Sequence, residues 1–217
     1  MSRLEKNNAS SVWKLAGILL VIACLMFSVQ HLPQLDFIVW LQSKGTSTTT
    51  LFLQIVSDSI TFFSLGVPLT IAVFKEFDRT SSNRTSSKRN SRLSFVYVGV
   101  SVGIAGLISY AIKNIGLIPR PYEVDARIVQ LSVGGGFSFP SGHTTEAFAS
   151  AAALSFLLPK PKYFLPFFFW ASLVGFSRIY LGVHYPFDVL GGVAIGVTTS
   201  FALRFYFRKK TEIFSSR

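Results

Sequence analysis

Six long apolar stretches constrain this chain more than any other feature. They cover residues 12–30, 51–74, 93–112, 144–158, 163–179 and 187–207. A helix that crosses a bilayer needs about 20 mostly apolar residues. In hydrocarbon only helices and closed barrels satisfy their own backbone, and these runs are too long and continuous for barrel strands. The expectation is an all-α integral membrane protein: a bundle of six transmembrane helices forming one domain over residues 1–217. The fourth and fifth stretches are short, so their ends are the least defined. Composition agrees, with half the residues hydrophobic and a mean hydropathy of +0.47. The first stretch has the length of a span and no small-residue cleavage site behind it, so it reads as a retained helix and not a signal peptide. Cys24, the sole cysteine, lies inside it, which leaves no disulfide or cysteine metal site within one chain.

The net charge of +11 would suit a nucleic-acid binder, but its distribution points elsewhere. Sixteen of the 21 Lys and Arg fall in the N-terminus, the segment after the second stretch, the turn after the fourth and the C-terminal tail. In an alternating topology all of these share one side of the membrane. The other side receives Lys44, Lys113, Arg120, Arg127 and Arg178, of which Lys44 and Arg127 have no obvious partners. The positive-inside rule then puts both termini in the cytoplasm. The basic excess reads as topology and headgroup contact, with no nucleic-acid partner. Residues 77–92, basic and rich in Ser, Thr and Asn, read as a mobile cytoplasmic connection. Residues 34–45 read either as a helix in the outer interface anchored by Trp40 or as an ordinary loop.

Three separated clusters reach the outer side: KNIGLIPRP from Lys113, FPSGHTTEAF from Phe139, and SRIYLGVHYPFD from Ser177. Two arginines and a lysine brought together want a polyanion. Arg offers a planar fork matched to phosphate oxygens, and Lys adds a point charge. Ser141 and Gly142 open an apolar helical run, so a hydroxyl and free backbone N–H groups can face an anion there. Tyr185 precedes Pro186 and is pushed away from helical angles, so the last helix is expected to start at Pro186. Asp188 then sits in its first turn and can reach back to His184, fixing the imidazole tautomer and leaving the other nitrogen free to attack. His184 is therefore the expected nucleophile, Asp188 its orienting group and His143 the general acid. The convergent groups are mostly cations, which argues against a metal centre. Glu146, one turn beyond His143, and Asp58, in the second stretch, are intramembrane carboxylates without an assigned role. The pair Gly191–Gly192 reads as a close helix-packing point.

These clusters resemble the three-part signature of the phosphatidic acid phosphatase type 2 superfamily, which includes bacterial membrane lipid phosphatases. Every signature position, within 113–121, 140–143 and 177–188, is present in order. The resemblance implies a phosphohistidine intermediate on His184, leaving-group protonation by His143, and phosphate binding by Lys113, Arg120, Ser141, Gly142, His143 and Arg178. It also implies chemistry without a metal or other cofactor. The expected substrate is a lipid phosphate or pyrophosphate of the undecaprenyl pyrophosphate, phosphatidylglycerol phosphate, phosphatidic acid or lipid A type. It would be reached at the extracytoplasmic face of a bacterial inner membrane, with membrane lipids as surroundings and no obligate protein partner. A lipid-to-lipid phosphotransferase and a non-catalytic lipid-binding or transport protein on the same bundle are the alternatives.

Overall fold

The computed structural model describes residues 3–70, 84–158 and 160–210. Among them there are helices and no strands. The helices are α1 (Arg3–Gln30), α2 (Gln34–Ser43), α3 (Ser47–Asp58), α4 (Arg84–Gly116), the short α5 (Pro121–Val124), α6 (Gly142–Leu157), α7 (Pro161–Tyr180) and α8 (Pro186–Lys210). After α3 the chain continues through a π-helical stretch, Phe62–Gly66, to Thr70.

Two helical segments, Leu93–Val124 and Pro186–Phe207, are long and apolar enough to cross a membrane. Two bent pairs, Leu15–Gln30 with Gln34–Ser43 at 84° and Ser47–Asp58 with Phe62–Thr70 at 42°, pass the same test jointly. Among the described residues the all-helical expectation thus holds, and length and composition support two to four spans, not the six expected. The α2 helix confirms the helical reading of residues 34–43.

The expected connection at 77–92 is shorter than the sequence suggested. Residues 77–83 lie outside the described set, but α4 already begins at Arg84. That stretch contains neither Gly nor Pro, so nothing in it stops an adjoining apolar helix from extending backwards.

At the centre lies α6, which packs against α4, α7 and α8. Its run of alanines and serines leaves ten positions from Thr144 to Leu154 buried. Small residues let backbones approach, and α8 answers with glycines. A Cβ at Gly192 would lie 2.8 Å from the Ser141 carbonyl oxygen, and one at Gly196 2.5 Å from that of Thr145. At Gly191 a Cβ would strike the Phe139 ring at 2.5 Å. The Gly191–Gly192 pair therefore packs as expected, and Gly196 extends the contact one turn further. Polar side chains fasten the same helices: Tyr97 Oη donates to the Ser200 carbonyl (2.7 Å) and Ser200 Oγ to that of Ala149 (2.8 Å). This packing fixes the mutual height of the starts of α6 and α8, where the chemistry-bearing residues sit.

Candidate active site

α8 begins at Pro186, as the Tyr-Pro step dictates. Asp188, in its first turn, reaches back so that His184 Nδ1 lies 3.3 Å from Asp188 Oδ2, both side chains being about 2% exposed. The Nδ1 position faces the carboxylate, which leaves Nε2 for the site. The same oxygen accepts from Tyr185 N at 2.9 Å and from Ser138 Oγ at 2.5 Å, and Ser138 Oγ is itself 3.5 Å from His184 Nδ1. Burial pushes the His184 imidazole down to about 4, Asp188 pulls it partly back, and Arg120 and Lys113 push it further down. At neutral pH the ring is unprotonated, the state a nucleophile needs.

The start of α6 meets this pair directly, because Ser141 N donates to the Asp188 carbonyl at 3.1 Å. Ser141 occupies the N-cap, yet its side chain does not cap the helix. Its Oγ instead accepts from Thr144 Oγ1 at 2.9 Å, so its own proton remains available. A Cβ on Gly142 would meet nothing within 4 Å, so the space beside it is open. His143 follows, within electrostatic reach of Arg178, His184, Arg120 and Lys113.

The three cations come from three places in the chain. Lys113, in the last turn of α4, sends Nζ to the carbonyls of Phe137 (2.6 Å) and Ser138 (3.1 Å). Arg120, ahead of α5, is buried and donates to the carbonyls of Gly136, Gly135 and Val183. Its backbone N–H is held by Glu123 Oε2 at 2.8 Å. Arg178, at the end of α7, is 2% exposed. It donates through Nη1 to Ser57 Oγ and Ser132 Oγ and through Nη2 to the Val133 carbonyl, while its Nε is buried with no partner. A buried guanidinium N–H without an acceptor is costly.

All eight residues expected from the sequence, Lys113, Arg120, Ser141, Gly142, His143, Arg178, His184 and Asp188, thus come together at one end of the bundle. The sequence did not single out Ser138, Ser57 or Ser132. No spacing rule marks a serine that acts through a carboxylate or guanidinium brought in from another helix. Arg127 was expected to lack partners; it pairs with Asp125 at 2.7 Å and Asp36 at 2.8 Å, carboxylates delivered by α2 and the turn after α5. Asp58, at the end of α3, lies within electrostatic reach of Arg178, and Glu146 Oε1 lies 3.7 Å from where a Gly106 Cβ would be. A cavity of about 450 Å³ is lined by Gln42, Thr46, Thr50, Gln54, Leu131 and Tyr180, and none of the eight residues lines it.

The sequence profile of the PAP2 superfamily matches residues 94–212, more than half of the chain and all three clusters. The chain belongs to this family. Among curated relatives, the undecaprenyl-diphosphatase BcrC of Bacillus subtilis is 38% identical over 112 residues, 51% of this chain and 56% of that protein. The lipid A 1-phosphatase of Rhizobium etli is 44% identical over 105 residues, 46% of this chain and 44% of that one. The matches span about half the length of these PAP2 relatives. Among solved structures, a PAP2-type phosphatidylglycerolphosphate phosphatase from Bacillus subtilis superposes with a TM-score of 0.65 at 22% identity, covering 92% of this chain and 98% of that one. The LpxE structure from Aquifex aeolicus gives 0.63 at 23% identity, covering 82% and 98%. At such identities the likeness is one of fold.

Proposed function

We propose that this PAP2 protein is a membrane lipid phosphatase in which His184 attacks the terminal phosphorus of a lipid phosphate or pyrophosphate. The observation that carries this reading is the buried His184–Asp188 pair within electrostatic reach of Arg120 and Lys113, with His143 in reach of His184 and all three cations. In the first step the His184 Nε2 lone pair forms a bond to phosphorus as the bond to the leaving oxygen breaks. His143 gives that oxygen a proton. Asp188 stabilises the positive charge that develops on the imidazole. In the second step water, deprotonated by His143, attacks the phosphohistidine and releases inorganic phosphate. Lys113, Arg120 and Arg178, with Ser141 and the N–H groups at Gly142, hold the charge that spreads over the equatorial oxygens. No step calls on a metal.

The reading takes residues 1–217 as one membrane domain of six spans, both termini cytoplasmic and the site at the outer surface of the bacterial inner membrane. The charge distribution supports that orientation, and the exposed apolar rings of Trp13, Trp40 and Phe169 suit lipid contact. A site at the bilayer surface favours a lipid whose head enters while its tails stay in hydrocarbon. Undecaprenyl pyrophosphate is the proposed substrate, in keeping with the diphosphatase among the relatives. The test is phosphate release from a panel of undecaprenyl pyrophosphate, phosphatidylglycerol phosphate, phosphatidic acid and lipid A, in chelator, with wild type and His184→Ala. Release from at least one lipid by wild type alone is expected. Release that requires added Mg²⁺, or survives in His184→Ala, contradicts the mechanism, and labelled phosphate appearing on a second lipid points to transfer.

A further inference from the structure

Residues 133–138 form one short segment, yet all three site cations donate to its carbonyls. Arg178 reaches Val133, Arg120 reaches Gly135 and Gly136, and Lys113 reaches Phe137 and Ser138. At its far end Ser138 Oγ donates to Asp188. The cations arrive from three different elements, and mutual repulsion would drive them apart in an empty site. One strand of carbonyl dipoles holds them together. The segment is in turn pinned by Ser138 N to the Ile118 carbonyl at 2.7 Å, ahead of Arg120.

Its sequence suits this task at two positions. Gly136 has φ +62, the left-handed region in which a Cβ is strained. A Cβ on Gly134 would lie 3.0 Å from Tyr122 Oη and 3.3 Å from Arg120 Cδ and Nη1. The first glycine lets the segment lie against Arg120, and the second turns the carbonyls of Gly135 and Gly136 onto it. That leaves Arg120 with Nε and Nη2 engaged by the segment and Nη1 by the Val183 carbonyl, while Arg178 Nε has no partner.

We propose that residues 133–138 are a positioning strap: their carbonyls pre-assemble Lys113, Arg120 and Arg178 around the phosphate position, with Gly134 and Gly136 as positioning residues that act through Arg120. The inference rests on the phosphatase reading above. Phosphate recognition then depends on the backbone conformation at 136, a residue that itself touches no phosphate.

The experiment uses the full chain in detergent, with the lipid substrate found active for wild type and inorganic phosphate as the competing ligand. Gly136→Ala is expected to raise the inhibition constant for inorganic phosphate and KM about tenfold, with kcat changing less, because displaced guanidinium groups lose charge-assisted bonds. Gly136→Asn, which tolerates left-handed backbone, is expected to recover most of that loss. Gly134→Ala crowds Arg120 without any demand on φ and gives the same reading if Gly136→Ala does not accumulate. Wild-type constants in both alanine variants, or an asparagine variant as impaired as the alanine one, overturn the strap. An inactive wild type instead overturns the phosphatase reading, so the two failures are distinguishable.

Discussion

The two halves of the molecule divide the work unequally. From Leu93 onward α4, α6, α7, α8 and the segments that join them supply every residue assigned to chemistry, and the family profile covers residues 94–212. The half before it, α1 to Thr70, supplies none of them. Yet Ser57 of α3 holds Arg178, and Gln54 donates to the Leu131 carbonyl at 2.7 Å. Gln42 of α2 grips the same loop twice at Val129, donating to its carbonyl and accepting from its N–H, and donates to the Tyr180 carbonyl at the end of α7. The C-terminal half carries the proposed reactive groups, and the N-terminal half buttresses the loop beside them.

The contrast can be broken at its strongest point first. His184→Ala removes the proposed nucleophile and is expected to lower kcat more than about 10⁴-fold on any lipid substrate, with the protein still folded. Next comes His143→Ala. Loss of the proposed acid is expected to cost about 10²- to 10⁴-fold on lipid phosphates, and far less on an aryl phosphate whose leaving group needs no proton. Equal losses on both substrates would argue against His143 as the acid.

Buttress variants are expected to be milder and of a different kind. Ser57→Ala removes one hydrogen bond to Arg178, about 1 kcal/mol, and should raise KM several-fold with little change in kcat. Gln42→Ala should leave kcat within about threefold of wild type while the amides of residues 129–131 exchange faster, each hydrogen bond being worth about 1 kcal/mol. If either variant matched the loss of His184→Ala, the division between the halves would fail.

The smallest effect is on pH dependence. His184 sits at about 4 in the folded protein against an ordinary 6.5. The folded ring binds its proton less tightly than the unfolded one, so its contribution to stability is complete above 6.5 and is lost as pH falls through 6.5 towards about 4. The acid limb of kcat/KM that belongs to His184 should lie near 4, well below that of a free histidine. An acid limb centred near 6.5 instead would contradict the lowered His184 imidazole.

Much of the site was legible in the sequence because its chemistry relies on residue types that are rare in apolar surroundings. His184, Asp188, Arg178 and Arg120 stand out against such a chain, and the Tyr-Pro step marked where α8 begins. The supporting residues were not legible. Ser138, Ser57 and Gln42 are common polar residues, and their meaning appears only when the fold places a carboxylate, a guanidinium or a loop carbonyl beside them. In the fold, the helical class was clear from the apolar runs. The start of α4 was not, because a polar helix without Gly or Pro looks like a loop when only hydropathy is read. The Arg127 pairing was hidden for a related reason: one partner, Asp36, lies on α2, 91 residues away.

The central claim is that three distant stretches enclose a phosphate with His184 as the attacking group. Its most direct test is to mix wild type with a lipid phosphate labelled with radiophosphorus at its terminal position, quench within one turnover in denaturant, and locate the label. The account predicts protein-bound label that survives alkali, is lost in acid, maps to the peptide containing His184 and is absent from His184→Ala. Label that resists acid, maps to another residue or persists in His184→Ala would contradict it.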